Sequence, residues 1–396
     1  MQLLRGTFQH YAWGTTNAIP ELLGEPADGR PVAEYWLGAH PLAPSIVAGK
    51  PLDALVAEQP EVLGKASRRA FGNRLPYLVK VLSARHALSL QAHPSRDQAE
   101  EGYARENAAG LAPEAPERTY RDDWPKPELL VALDEFHGLA GFRDPRRTAA
   151  LFGGLGGADE LASVIGPLTE RKGSAALAEV FLDVLSLDGE RRRLSELVCA
   201  AAMQKQHSPG ELGEFARTVL ELDEVFPADH GILAALLMNR VTLRPGDALY
   251  VPAGQMHAYL RGTGVEVMAN SDNVIRGGLT NKHVDVGELV KVVDFEPSIP
   301  KAIRPATVRA GVAKYKTPCR EFDVWRIKPA AGLAPIRLPG RRSARILLVI
   351  EGEVELTAGS GQLRLARGQA AFLPATDPKA MISGDAVAFL TASGLR

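Results

Sequence analysis

The stretch LRPGDALYVPAGQMH, residues 243–257, decides how the rest of the chain is read. Gly246 opens an apolar run, Pro252 stops it and Gly254 turns it. Proline cannot donate to a sheet ladder and glycine tolerates the turn, so the run reads as a short strand closed by a sharp corner. The pattern Leu-x-x-Gly-x5-Pro-Ala recurs at LARGQAAFLPAT, residues 365–376. Two copies of one strand-and-corner device predict two related jelly-roll domains. The copies diverge after the corner. The first ends on Gln255-Met256-His257, the second on Asp377-Pro378-Lys379, without histidine. One domain is therefore expected to hold a metal that its partner cannot.

Working outward, PYLVKVLS (76–83), ALSLQAH (87–93) and ELLVALDEFHGLAGF (128–142) read as strands, as do MHAYLRG (256–262) and GVEVMANS (264–271). The last third, with EFDVWRIKP, ARILLVIEGEVELTA and AVAFLTAS, has the strand and turn density of a β-sandwich or barrel. Between them the texture changes. DPRRTAALFGGL, ADELASVIGPLTE, GSAALAEVFLDVLS, LSELVCAAAMQKQ and SPGELGEFARTVLELDEVF place apolar residues at three-to-four spacing, which predicts helices. Ser208 is expected as the N-cap of the last, with Pro209 as its first helical residue. The fold class is thus mainly β with a helical insertion. The expected division is residues 1–145 with 239–310, a helical domain at 146–238, and a C-terminal β domain at 311–396.

Composition narrows the function. The 396 residues, 45% hydrophobic and 23% charged, suit a globular protein of about two to three domains. A net charge of −1 argues against nucleic acid as partner, which wants a strongly basic face. It leaves room for a small phosphorylated ligand. Two unclustered cysteines, Cys199 and Cys319, offer neither a disulfide framework nor a thiolate metal site, so a cytoplasmic location is expected. Cys199, inside LVCAAAM, is expected to be a buried thiol. No apolar run approaches the ~20 residues of a membrane span.

Gln91-Ala92-His93 carries the next signal. Residues two apart on a strand face the same way, so both side chains can reach one ion. The spacing Gly246-x5-Pro252-x-Gly254-x2-His257 resembles the second motif of the cupin superfamily, whose closing histidine is a metal ligand. In that resemblance Gln91 and His93 stand as the first pair and Glu128 as the carboxylate. Nitrogen and oxygen donors of this kind suit Zn²⁺ and also other divalent ions.

Several motifs then point to a family. YAWG (11–14), EYWLGAHP (34–41), FGNRLPYLVKVLS (71–83), QAHPS (91–95), KPELLVAL (126–133) and PAGQMHAYLRGTGVEVMANSDNVIRGGLTNKHVD (252–285) resemble type I mannose-6-phosphate isomerase, in order, through the first 300 residues. Beyond them the chain resembles the family in general β character. The resemblance implies two cupin-type β domains plus a helical domain, with one zinc per chain on Gln91, His93, Glu128 and His257. It implies an aldose–ketose isomerase interconverting mannose 6-phosphate and fructose 6-phosphate, acting as a monomer in the cytoplasm. The alternatives are another metal-dependent sugar-phosphate isomerase or epimerase on the same scaffold, and a non-catalytic sugar-phosphate sensor. Arg276 is implied in the active site, with Trp13, Lys80, Ser89, Lys126, Tyr259, Glu266, Asp272 and Lys282 at pocket positions.

The chemistry assigns expectations to these residues. Moving a proton between C2 and C1 through an enediol needs a base on one face of the sugar. Glu266 is the first candidate for base, with an equal alternative as the carboxylate that holds Lys126 or Arg276. Asp272 and Lys126 are reserves. Arg276 stays protonated, so it is expected to bind phosphate or neutralise the enediolate. Lys282 and Ser89 complete a phosphate site; Trp13 and Tyr259 cover the sugar. One departure stands out. The family commonly writes Asn-His-Lys-Pro-Glu where this chain has Trp124-Pro125-Lys126-Pro127-Glu128, so a histidine proton carrier is absent at Pro125.

Overall fold

The computed structural model describes all residues except 157, 188–192, 378 and 396, so Pro378 of the second corner lies outside the described residues. Two large sheets form. The first runs in the order Met238–Leu243, Phe136–Phe142, His257–Ala269, Tyr77–Ala84, Glu34–Leu37 and Thr7–Gln9. Its hub is the strand His257–Ala269. The His257 end pairs with Phe136–Phe142 and with Gln91, and the Ala269 end pairs with Tyr77–Ala84 and Glu128–Ala132.

MHAYLRG and GVEVMANS are therefore halves of one strand. The ladder slips between Tyr259 and Arg261, and Gly262 adopts φ +120 where a Cβ would come within 2.8 Å of Phe136 Cα. The bulge bends the strand so that one chain segment serves two ladders, the usual way to turn a barrel corner. Upstream, ALSLQAH yields a ladder only at Gln91–Ala92. The amides of Leu88 and Leu90 bond instead to the carbonyls of Tyr259, at 2.8 Å, and Gly278, at 3.1 Å.

The second sheet is built on the antiparallel pair Arg345–Ala358 and Met381–Ala392. The repeated device occupies equivalent places in the two sheets. Gly246 and Gly368 both have positive φ, and the strands Ala248–Val251 and Ala370–Leu373 each start two residues later. The C-terminal sheet also recruits the chain's beginning, because Gln2–Arg5 pairs with Ala370–Phe372. Between the sheets, Tyr77, Val79, Val131 and Val267 of one pack with Ile346, Leu348, Phe372 and Phe389 of the other in a single core.

The insertion is helical as expected, with helices Pro145–Leu155, Ala158–Ile165, Pro167–Glu170, Gly173–Leu185, Arg193–Lys205, Gly210–Val225 and Gly231–Ala235. Asp144 caps the first by accepting from the Arg147 amide at 3.0 Å. Cys199 is buried, and burial pushes its thiol up to about 12. The Ser208 cap is a correction. Pro209 itself is the N-cap with extended ψ 154, the helix starts at Gly210, and no side chain caps it. Proline also disfavours the helical region for the residue before it, which keeps Ser208 outside.

The helix Arg96–Ala108 is an addition to the expected elements. Its buried face is made of Ala99, Gly102 and Glu106, too small and polar to show an apolar periodicity, yet Ser95 and Gln98 form a reciprocal capping box with bonds of 3.3 and 2.9 Å. That spacing was the readable signal.

The helical core reaches the first barrel through Phe181, which meets Phe142 edge-on at 5.6 Å. It also buttresses the segment that carries Arg276. A Cβ on Gly277 would meet the Met256 methyl at 2.5 Å, and one on Gly278, at φ +123, would meet Gly231 Cα at 2.9 Å. Replacing Gly278 with alanine is expected to lower stability by more than about 1 kcal/mol, read as a fall in melting temperature. An unchanged melting curve contradicts this close approach.

Candidate metal centre and substrate cleft

Barrel geometry gathers residues far apart in sequence. Glu128 begins the strand Glu128–Ala132, His257 begins the central strand, and Gln91 sits opposite His257 in register. His93 follows two residues later and is fully buried. His93, Glu128 and His257 can bring ligand atoms within 4.8 Å of one another. His93 Nε2 is 3.2 Å from one carboxylate oxygen of Glu128, and His257 Nε2 is 3.3 Å from the other.

These contacts are not good hydrogen bonds. His93 Nδ1 lies 2.8 Å from the carbonyl oxygen of Asn273, so Nδ1 carries the proton and Nε2 presents a lone pair. His257 Nδ1 faces the Gln255 carbonyl at 3.3 Å and is fixed the same way. Two lone pairs thus face one carboxylate, and His93 Nε2 has no hydrogen-bond partner among the described residues. A cation between them resolves the conflict, and carbonyl-oriented imidazoles are what metal ligands need. Burial pushes the His93 ring down to about 4 against the pull of Glu128, which keeps it neutral. Burial likewise opposes the Glu128 charge, yet the carboxyl is held well below its usual range; with both imidazoles neutral, the cation that favours its charge is Lys126. Gln91 donates its amide to Ser89 Oγ at 3.3 Å, so its carbonyl oxygen is the atom it would offer an ion.

Above this group lies a cleft of about 700 Å³. Gln91, Glu128 and His257 line it, as do Trp13, Lys80, Ser89, Lys126, Tyr259, Glu266, Asp272, Arg276 and Lys282. His93 lies beneath, outside the lining. Lys126 Nζ, from the loop just before the strand, is 3.5 Å from Glu128.

Glu266 differs in detail from expectation. It holds neither Lys126 nor Arg276. Its Oε2 is 3.3 Å from Lys80 Nζ, directly opposite in the ladder, and its Oε1 accepts from the Tyr259 hydroxyl at 2.9 Å. That hydroxyl is also 3.3 Å from Glu128, so it bridges the two carboxylates. Burial, then the negative charge of Glu128, raises the Glu266 carboxyl above its usual range. Burial works against the charge on Lys80, yet Glu34, at 3.2 Å, and Glu266 raise its proton affinity. Asp272 accepts from His40 Nε2 at 3.2 Å; burial opposes its charge, but His40 keeps the carboxyl below the ordinary value. The Arg276 and Lys282 heads are lowered, first by burial and then by neighbouring cations.

Several partners were not singled out from sequence. Glu34 takes bonds from Lys80 and from the indole of Trp36, at 2.8 Å, and both Glu34 and His40 sit in EYWLGAHP. Glu34 and Trp36 share a face of their strand, with Trp36 opposite Lys80 in register, and that period-two spacing was the available signal. Asp122 and Asn273 are loop residues. Asn273 Nδ2 donates to the carbonyls of Asp122 and Trp124, both at 2.8 Å, and its Oδ1 accepts from the Arg121 amide at 2.7 Å. No local pattern marks such a clamp.

Among known proteins, residues 1–145 match the family described as "Phosphomannose isomerase type I, catalytic domain", and residues 325–391 match "Mannose-6-phosphate isomerase, cupin domain". The mannose-6-phosphate isomerase of Escherichia coli (strain K12) is 36% identical over 392 residues, covering 97% of each chain. The apo form of mannose 6-phosphate isomerase from Salmonella typhimurium superposes with a TM-score of 0.90 at 35% identity, covering 100% of this chain and 99% of that one. A mannose 6-phosphate isomerase bound with zinc and yttrium gives 0.90 at 35% identity, with 100% of both chains covered. The likeness thus extends past residue 300, and the chain belongs to the type I mannose-6-phosphate isomerase family.

Proposed function

We propose that the cleft isomerises D-mannose 6-phosphate and D-fructose 6-phosphate, with Gln91, His93, Glu128 and His257 holding zinc. The observation that carries this reading is the ionised Glu128 flanked by two imidazole lone pairs at the floor of a polar cleft. Zinc, when bound, supplies Lewis acidity that stabilises negative charge developing on a sugar oxygen.

The chain's own groups do the rest. Buried beside the centre, Glu34, Glu128 and Glu266 face Lys80 and Lys126. Three carboxylates against two ammonium groups leave one negative charge in excess, which a divalent ion turns into one positive charge. That balance favours an anionic enediolate over a neutral sugar. Glu266 takes the proton at C2 and returns it at C1. Lys80 and Tyr259 keep its oxygens in one place, so the transfer stays on one face of the sugar. Lys126, and Asp272 held by His40, exchange protons with the sugar oxygens, a task Pro125 cannot perform. Arg276 and Lys282 bind the phosphate, and Ser89, beside Gln91 in the cleft, faces the sugar. Trp13, stacked on Tyr11 at 5.8 Å, covers the sugar and limits water.

All these side chains come from one polypeptide, so a monomer is a sufficient catalytic unit. Among the described residues no helix is long and apolar enough to cross a membrane, and both cysteines are unpaired, which suits the reducing cytoplasm.

A coupled assay of fructose 6-phosphate formation tests the activity. Chelation is expected to abolish turnover and added zinc to restore it; turnover that survives complete metal removal contradicts the reading. His257→Ala is expected to lose zinc by elemental analysis while keeping its circular dichroism spectrum, and a variant with full zinc content removes that ligand. Glu266→Gln is expected to lower kcat by about 100-fold or more with zinc retained. A loss below about tenfold, only ~1.4 kcal/mol, removes Glu266 as base.

A further inference from the structure

Beyond Arg276 the cleft opens into a second recess of about 440 Å³. The two spaces share Asp272, Val274, Arg276, Asn281 and Lys282, so Arg276 and Lys282 stand on the divide between them. The far wall is the loop that follows helix Arg96–Ala108, and it brings Thr119 and Arg121 to the recess.

This recess concentrates positive charge. Arg276 feels the charge of Arg121, and Lys282 feels those of Arg276 and Arg121, all repulsive. The two aspartates on its wall are committed elsewhere. Asp272 faces His40 at 3.2 Å, and Asp285 caps helix Val286–Val292 by accepting from the Glu288 amide at 3.0 Å. Arg121 and Arg276 are partly buried and Lys282 is exposed at the rim; cations held together against their repulsion cost free energy until an anion arrives between them.

Arg121 is also fixed in place. Its amide donates to Asn273 Oδ1 at 2.7 Å, and its guanidinium donates to the carbonyls of Pro113 and Ala115, the latter at 3.3 Å. Carbonyls position the fork without neutralising it. A prepositioned guanidinium loses little rotamer freedom when it engages a phosphoryl group.

We propose that this recess receives the phosphoryl group of the substrate and that Arg121 is its third cationic ligand, beside Arg276 and Lys282. The sugar then lies over Glu128 in the main cleft while its dianionic tail turns past Arg276 into the side space. This inference rests on the sugar-phosphate reading of the same site and adds the location of the phosphate and one residue that binds it.

The test uses the zinc-loaded full chain with mannose 6-phosphate as substrate and inorganic phosphate as probe. Arg121→Gln is expected to raise KM about tenfold or more with kcat little changed, and to weaken competitive inhibition by inorganic phosphate by a similar factor. Zinc content should stay as in the wild type. Arg121→Lys, which keeps the charge but loses the planar fork, is expected to recover part of both effects. Unchanged KM and phosphate inhibition in Arg121→Gln overturns the proposal. So does Arg121→Lys being as impaired as Arg121→Gln, since the residue would then only brace the loop at Pro113 and Ala115. If the wild-type chain fails to isomerise the sugar, calorimetry with inorganic phosphate on the same variants still decides the role of Arg121. Loss of the function reading and loss of this inference are thereby separate results.

Discussion

A buried carboxylate facing two imidazole lone pairs is the constraint on which the rest of the molecule depends. Glu128 is acceptor-only while ionised, and the Asn273 and Gln255 carbonyls force His93 and His257 to present acceptors to it. Left to themselves these groups repel, and each has lost its water. The fold holds them together because each is pinned by its own ladder or loop. Glu128 and His257 begin strands whose apolar faces fill the barrel and the core between the sheets, and His93 comes just after the short Gln91–Ala92 ladder. Packing energy spread over many residues keeps a locally unfavourable constellation assembled, as is common where structure serves chemistry.

A second set of charges radiates from that point. Glu34, Lys80, Glu266, Tyr259 and Glu128 touch in sequence across the sheet; Lys80 and Glu266 are direct cross-strand partners, and Tyr259 meets Glu266 from the same bent strand. Burying so many ions stabilises little by itself, because desolvation offsets the attraction. Its effect is positional. With Lys80 on one oxygen and Tyr259 on the other, Glu266 has almost no rotational freedom, which is what a one-face proton transfer requires.

The loop before Glu128 shows how a departure from the family pattern is absorbed. Trp124 packs on Phe71 at 5.8 Å between the guanidinium groups of Arg74 and Arg96, at 5.3 and 5.4 Å. Its carbonyl accepts from Asn273 and Ser271. The segment that carries Pro125 and Lys126 is thus held by the Trp124 ring contacts on one side and by the Asn273 clamp on the other. Arg121 descends from the same clamp, so the orientation of His93 and the presentation of Arg121 share one anchor.

The sequence by itself determined the parts whose physics is local. Gly–Pro spacing marked the barrel corners, three-to-four periodicity marked the helical insertion, and period-two spacing put Gln91 with His93. The motifs around those residues carried the family, and with it the candidate members of the site. Local rules failed where their signal was blank, as in the polar helix Arg96–Ala108, or where one strand bends, as at Gly262. Only the tertiary structure decided who touches whom: that Glu266 meets Lys80 and Tyr259, that His40 meets Asp272, that Asn273 governs His93, and that Arg121 joins Arg276 and Lys282. Those contacts depend on cross-strand register and on loops brought together from distant segments, and neither leaves a period in the chain to read.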